Sequence, residues 1–366
     1  MSDTTAPVTT ANEDGEEDEG GTPPRLQFTA RNMLFLGGFL VASIAALYYL
    51  LPQLAGLDDT WSRIEDGSPY WLSLAFAFTF GMFAGYVMMF RGVFARLPGS
   101  ERIGWREAYQ ITMAGLAASR IFAAGGAGGL VLTAWALRRA GLRKRDVADR
   151  TLSFLILTYL PYVLALFVCG LALRLGLVEG EAPFGLTVVP AILAVIALAI
   201  ALAIALVPTD LQRRLGGWAS SHGRVARFAQ TAANLPAAAS AGMRDALAHA
   251  RSRDPALLGA IVFWGAQILV LWAAFRAFGA SPPPAVLVQA FFVGMLGNLL
   301  PMPGGVGGVE GGMIASFVAF GVDGGLAVVA VLVYRAFTFW LPLIPGVIAY
   351  FQLRRTVEQW ALSYTK

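Results

Sequence analysis

The order of apolar and polar positions along the chain predicts a series of membrane-spanning helices. Uninterrupted apolar stretches of about twenty residues recur, which is the length an α-helix needs to cross the hydrocarbon core of a bilayer. Polar, loop-forming segments separate these stretches. The pattern predicts six full spans, at roughly 32–51, 70–90, 151–173, 186–207, 257–279 and 325–351.

Two further apolar stretches, about 107–137 and 285–321, do not fit a single span because they are too long and too rich in glycine. Each has a glycine cluster near its middle. The clusters are Gly125-Gly126-Ala127-Gly128-Gly129 and Gly304-Gly305-Val306-Gly307-Gly308. Glycine tolerates the backbone angles of tight turns, so each stretch is predicted to form two short helices joined by a turn.

Arginine placement orients these segments, because short loops rich in Lys and Arg stay cytoplasmic. Basic loops flank the first glycine-rich stretch on both sides, whereas the second lies between the linker 281–284 and Asp323. We therefore predict two re-entrant hairpins, entered from opposite faces, with both chain termini in the cytoplasm. If each stretch instead crossed the membrane fully, one of the two strongest arginine clusters would lie outside.

The two halves of the chain share one pattern. The glycine clusters begin 179 residues apart, at Gly125 and Gly304, and each half consists of span, span, hairpin and span. The last span of each half carries a proline after a threonine and an aromatic residue, in 158–161 and 338–342. Because each half crosses the membrane three times, the second half begins on the opposite face and its orientation in the membrane is inverted. The predicted fold class is an all-α polytopic membrane protein with two inverted repeats, about six full transmembrane helices and two re-entrant glycine-tipped hairpins, an architecture typical of transporters.

Composition excludes a soluble globule, since 57% of the 366 residues are hydrophobic and only 14% are charged. Soluble domains carry roughly a quarter charged residues. The net charge of +4 hides an asymmetry, because the first 24 residues hold seven acidic residues and no basic one. The predicted organisation is a disordered acidic cytoplasmic tail (1–30), a first membrane repeat (31–177), the start of a second (178–207), a cytoplasmic basic, amphipathic linker (208–255), the remainder of the second repeat (256–355) and a cytoplasmic tail (356–366).

Three ionisable residues lie inside apolar sequence, namely Arg120, Glu310 and Arg335. A charge at the bilayer centre costs at least about 2.5–3.5 kcal/mol, so it usually faces a cavity or a partner. Two arginines and one carboxylate leave an excess positive charge that suits a phosphate, with Glu310 as counter-ion or proton carrier. A buried structural salt bridge is the alternative, and both interpretations stay open.

A glycine turn followed by a helix also directs free N–H groups at an anion, although the glycines could serve packing alone. The predicted substrate-binding residues are Arg120, Gly125, Gly126, Gly128, Asn298, Gly304, Gly305, Gly307, Gly308, Glu310 and Arg335. The predicted partners are an anionic lipid headgroup and membrane lipids, with no nucleic acid. Homo-oligomer formation stays open. No cofactor or metal is expected, because no βαβ unit surrounds the glycines and His222 and His249 stand alone.

The segment from Asn298 to Gly312, NLLPMPGGVGGVEGG, resembles the signature of the lysylphosphatidylglycerol synthase transmembrane-region family, a flippase-like domain. Residues 120–139 are similar to that family's upstream motif, although Ala123 and Ala124 stand where prolines are expected. The resemblance covers roughly residues 30–355. It implies movement of a phospholipid or a polyprenyl-phosphate-linked lipid across the cell membrane.

The family's full-length synthases add a soluble aminoacyl-transfer domain. Only about a dozen residues follow the last predicted span here, so the resemblance implies translocation without lysyl transfer. No catalytic residue is predicted, and the protein is not expected to be an enzyme. The alternative is a membrane enzyme or accessory subunit that acts on a lipid-linked substrate.

The predicted topology can be tested by cysteine labelling in a Cys169→Ser background. Single cysteines at Ser100 and Arg145 should react only from the cytoplasm, because they flank the same hairpin. Single cysteines at Ser281 and Asp323 should react only from outside. A split of either pair between the two faces would contradict the hairpins.

Overall fold

The computed structural model describes residues 67–121 apart from 96 and 98, together with 127–205, 255–299 and 305–363. These residues form ten α-helices and include no strand. The predicted acidic tail, the span at 32–51 and linker residues 208–254 lie outside the described residues, as do Gly125, Gly126 and Gly304.

The ten helices are numbered in chain order. Their bounds are α1 Pro69–Phe94, α2 Trp105–Ile121, α3 Ala127–Arg139, α4 Lys144–Arg174, α5 Phe184–Ala205, α6 Pro255–Ala277, α7 Pro284–Met295, α8 Gly308–Ala319, α9 Gly324–Arg335 and α10 Leu343–Ser363. A 3₁₀ turn, Leu296–Leu299, extends α7, and a π-helical turn, Ala336–Trp340, follows α9.

Four helical segments of the described chain are long and apolar enough to cross a membrane. They are α1, α4, α6 and the continuous segment Gly324–Leu362 that contains α9 and α10. The predicted spans at 70–90, 151–173, 257–279 and 325–351 are therefore confirmed as apolar helices. The predicted span at 186–207 corresponds to α5, an apolar helix over Phe184–Ala205. The chain is an all-helical, multi-pass type of membrane protein.

The centre of the fold is the pair α1 and α6, which pack antiparallel along their length. The Ser68 amide, just before α1, donates to the Ala277 carbonyl at the end of α6 (2.9 Å), and Gly92 lies against Ala256 at the opposite end. Between them, a Cβ on Gly85 would come within 2.6 Å of the Phe263 amide nitrogen. Small residues thus let the two backbones touch, as is usual where membrane helices associate without a hydrophobic drive.

Each glycine-rich stretch forms two short helices that pack against each other, α2 with α3 and α7 with α8. In the first pair, a Cβ on Gly129 would collide with the Gly115 carbonyl. In the second, a Cβ on Gly294 would lie 2.7 Å from the backbone of Met313. The glycines therefore act in helix packing, and residues 122–126 and 300–304 between the paired helices lie outside the described residues.

Helices from the two halves of the chain pack across one another. Helix α2 lies against α10, while α7 lies against α4. Pro161 lies inside the continuous helix α4, and Pro342 immediately precedes α10 in the segment from α9 to α10. The first paired helix of each stretch thus contacts the proline-containing helix of the other half.

The glycine contact between α1 and α6 can be tested with two substitutions in the same helix. In Gly259→Ala, the new Cβ would meet the backbone of Met89, so we expect the free energy of unfolding in detergent to fall by about 1–3 kcal/mol. Gly265→Ala is the control, because no atom lies within 4 Å of its Cβ position. It should be neutral, or stabilise by up to about 1 kcal/mol through helix propensity. Equal effects of the two substitutions would contradict the close packing.

Candidate functional site

A buried ion pair joins the start of α8 to the end of α9. Arg335 Nε donates to Glu310 Oε1 at 2.6 Å, and the two side chains are only 6% and 1% exposed. Removing two charges from water is costly, and close, hydrogen-bonded geometry is what offsets that cost. The pair therefore fixes α8 against α9 at a point surrounded by apolar side chains.

The second oxygen of Glu310 organises the entrance to α8. Oε2 accepts a hydrogen bond from the Gly307 amide at 2.7 Å, which caps the first turn, where a negative charge also suits the helix dipole. Gly307 and Gly305 have φ angles of 89° and 68°, in the left-handed region. A Cβ on Gly305 would also collide with Asn298 Oδ1, so glycine is required there on two grounds.

Arg120 reaches this region from α2, in the other half of the chain. Its two terminal nitrogens donate to the carbonyl oxygens of Thr338 (2.8 Å) and Phe339 (3.1 Å). Both carbonyls lie in the π-helical turn before Pro342, and the Thr338 carbonyl is the one that an amide at position 342 would bond in an α-helix. Arg120 thus supplies the Thr338 carbonyl with a donor that Pro342 cannot provide.

The guanidinium groups of Arg120 and Arg335 both lie close to the ring of Phe339. The guanidinium carbon of Arg335 lies 4.3 Å from the ring centroid, and that of Arg120 lies 5.2 Å from it. Cations are attracted to an aromatic face at such distances, more strongly where water is excluded. Two cations and one carboxylate therefore share a site at the junction of α2, α8 and the π-helical turn.

A related contact exists at the other proline, with a neutral donor. The indole Nε1 of Trp264 in α6 donates to the Thr158 carbonyl of α4 at 2.6 Å, three residues before Pro161. Both threonines also bond back within their own helices, from Thr158 Oγ1 to the Phe154 carbonyl and from Thr338 Oγ1 to the Tyr334 carbonyl. The carbonyls of Thr158 and Thr338 thus each accept a hydrogen bond from a side chain of the other half.

The structure brings together three of the predicted site residues, Arg120, Glu310 and Arg335. Gly305, Gly307 and Asn298 adjoin them at the start of α8. Gly308 packs against Gly297, and Gly128 opens α3 without a described contact to the arginines. Gly125, Gly126 and Gly304 lie outside the described residues. Substrate binding by these residues stays a prediction.

Sequence reasoning missed Thr338 and Phe339 as parts of the site. The only signal was the proline four residues after Thr338, which implies an unfilled carbonyl in the preceding turn. Gln267 joins α6 to α9, because its Oε1 accepts a hydrogen bond from the Tyr334 hydroxyl at 3.0 Å.

Comparison with known proteins identifies similar sequences. The family model described as the lysylphosphatidylglycerol synthase TM region matches residues 35–346. The chain is also similar to proteins named UPF0104 membrane protein from Methanothermobacter thermautotrophicus. One match is 31% identical over 126 residues, which is 32% of this chain and 38% of the relative. Another is 24% identical over 329 residues, covering 84% of this chain and 90% of the relative.

The buried ion pair can be tested by a double-mutant cycle in detergent. Glu310→Gln and Arg335→Gln should each destabilise by about 3–5 kcal/mol, because each leaves one buried charge unpaired. The double variant should lose less than the sum, with a coupling energy of about 0.5–3 kcal/mol. The control is the Arg354–Glu358 pair of α10, which is 62% exposed on both sides and should show coupling of about 0.3–0.5 kcal/mol. Additive losses at Glu310 and Arg335 would show that the pair is not energetically coupled.

Proposed function

Since the chain belongs to the lysylphosphatidylglycerol synthase TM region family, we propose that it is a transporter that moves an anionic, phosphate-bearing lipid between the leaflets of the cell membrane. The observation that carries the proposal is the pair of guanidinium groups at Phe339, one from the buried Arg335 and one from the half-buried Arg120. A phosphate headgroup entering hydrocarbon loses its hydration, and fixed cations can offset that loss.

The position of Arg120 supports transport rather than a purely structural role. Its guanidinium is held by two neutral carbonyls, and no described carboxylate forms an ion pair with it. Arg335, by contrast, has its own carboxylate in Glu310. A cation that no described carboxylate pairs with is costly inside a membrane, so it usually marks a substrate or ion pathway.

The repeated contacts support two inverted repeats with re-entrant hairpins. Gly115 and Gly294, the close-packing glycines of α2 and α7, are 179 residues apart, the same spacing as the two glycine clusters. Gln110 and Gln289, on the same two helices, share that spacing. Helix α2 of the first half packs against α10 of the second half, and α7 of the second half packs against α4 of the first. This reciprocal packing fits a twofold relation between the halves. Transporters of this type place the substrate where broken helices meet.

In the proposed mechanism, the headgroup reaches Arg120 and Arg335 from one leaflet while the hydrocarbon tails stay in the surrounding lipid. Glu310 holds Arg335 in place and acts as the counter-ion when the site is empty. Relative movement of the two halves then exposes the site to the other leaflet, with both termini remaining in the cytoplasm.

An enzyme acting on a lipid-linked substrate is the other candidate. Such an enzyme generally needs a second acid or base, or a metal, beside its first. Among the described residues, Glu310 is the one carboxylate brought to the site, and both its oxygens are engaged in the ion pair and the helix cap. Transport requires no further group, and we favour it for that reason.

The proposal can be tested with purified protein in phosphatidylcholine liposomes that contain a tail-labelled fluorescent anionic lipid. The protein should accelerate movement of that lipid between leaflets, measured by chemical quenching of the outer leaflet. Arg120→Gln should slow the movement at least about tenfold, the equivalent of about 1.4 kcal/mol. The control, Arg276→Gln, removes an exposed arginine that stacks on Trp71 and Trp272 away from the site, and should retain full activity. No movement above that in protein-free liposomes would contradict the proposal.

A further inference from the structure

The balance of charge around Phe339 narrows the class of lipid that the site can hold. Arg335 and Glu310 neutralise each other, whereas Arg120 keeps one positive charge that no described carboxylate pairs with. A headgroup with a single negative charge would therefore make the site neutral. Any other headgroup charge would leave an uncompensated charge in an apolar interior, which is expensive.

The hydrogen-bonding capacity of Arg120 points to the same class. A guanidinium has five N–H donors, and Arg120 uses one on each terminal nitrogen for the carbonyls of Thr338 and Phe339. Among the described residues, its Nε–H and one further N–H on each terminal nitrogen have no acceptor. A fork of two parallel N–H groups matches two oxygens of one phosphate, the arrangement that makes arginine a strong phosphate ligand.

Glu310 limits what else the headgroup can carry. Oε1 accepts a hydrogen bond from Arg335, and Oε2 accepts one from the Gly307 amide. Because both oxygens already have a main partner, neither can serve as the main partner of a headgroup ammonium. A zwitterionic or aminoacylated headgroup would place its cation near Arg120 and Arg335 without a matching anion. A phosphomonoester would instead give the site an excess negative charge, because its second ionisation, near pH 6, brings a second negative charge toward Glu310.

We propose, building on the transport function above, that the cargo is a phosphodiester lipid with one negative charge and no amine in its headgroup. Its two non-bridging phosphate oxygens bind the free N–H fork of Arg120, with Arg335 as the second cation at the Phe339 ring. The site thereby selects against zwitterionic lipids, aminoacylated lipids and phosphomonoesters.

Selectivity can be measured in phosphatidylcholine liposomes at pH 8 with four tracers that share one fluorescent acyl chain. They are phosphatidylglycerol, phosphatidic acid, phosphatidylethanolamine and lysylphosphatidylglycerol. We expect phosphatidylglycerol to move at least about tenfold faster than each of the others. Arg120→Lys, which keeps the charge but loses the planar fork, should reduce this preference, and Arg120→Gln should abolish it.

If an Arg120 variant is unstable in liposomes, lipid binding can be measured in detergent instead, as a change in the protein's melting temperature. Short-chain phosphatidylglycerol should raise the melting temperature of the detergent-solubilised wild-type protein, whereas the matched zwitterionic lipid should not. The same rise should persist in Arg276→Gln and vanish in Arg120→Gln.

The possible outcomes separate this inference from the transport proposal. Equal rates for all four tracers, or the fastest rate for phosphatidic acid or either amine-bearing lipid, would overturn the phosphodiester selectivity while leaving transport intact. No movement of any tracer, together with no thermal shift, would overturn both. Faster phosphatidylglycerol movement that is unchanged in Arg120→Gln would show that another residue sets the preference.

Discussion

A backbone carbonyl inside an apolar protein needs a hydrogen-bond donor, and Pro342 makes this requirement the constraint on which the structure depends. Because proline has no amide hydrogen, the Thr338 carbonyl lacks the donor that an α-helix would supply four residues later. Arg120, from the other half of the chain, donates to that carbonyl and to the neighbouring Phe339 carbonyl. In the opposite direction, Trp264 of the second half donates to the Thr158 carbonyl of the first. The Arg120 contact thus joins the two halves beside the ion pair of Arg335 and Glu310.

The two donors differ in charge, and this difference links the fold to the proposed function. An indole satisfies a carbonyl and adds no charge, whereas a guanidinium satisfies two carbonyls and keeps both its charge and part of its donor capacity. The ion pair of Arg335 and Glu310 supplies rigidity beside it without changing the net charge. The Trp264 contact to α4 therefore adds no charge, whereas the Arg120 contact to the π-helical turn also brings a cation to the site.

The sequence predicted the parts of this arrangement that depend on composition and local spacing. Four apolar spans, two glycine-rich helix pairs and the charged residues Arg120, Glu310 and Arg335 all follow from run length, glycine clusters and isolated charges. The match of the family model confirms the resemblance. Which charge pairs with which could not be predicted, because Arg120 and Phe339 are brought together by packing between distant helices. The π-helical turn was missed for the same reason, since proline signals a break but not its geometry. The hairpin turns and the first span remain predictions.

Arg120 supplies the Thr338 carbonyl with the hydrogen bond that Pro342 prevents the helix from making for itself. The most direct test of this role is the stability of Arg120→Gln measured in the wild-type chain and in Pro342→Ala, where a backbone N–H is restored. We expect Arg120→Gln to be less damaging in Pro342→Ala, by about 1.5–3 kcal/mol, the usual contribution of a hydrogen bond to a charged group. The same loss of stability in both backgrounds would contradict this role of Arg120.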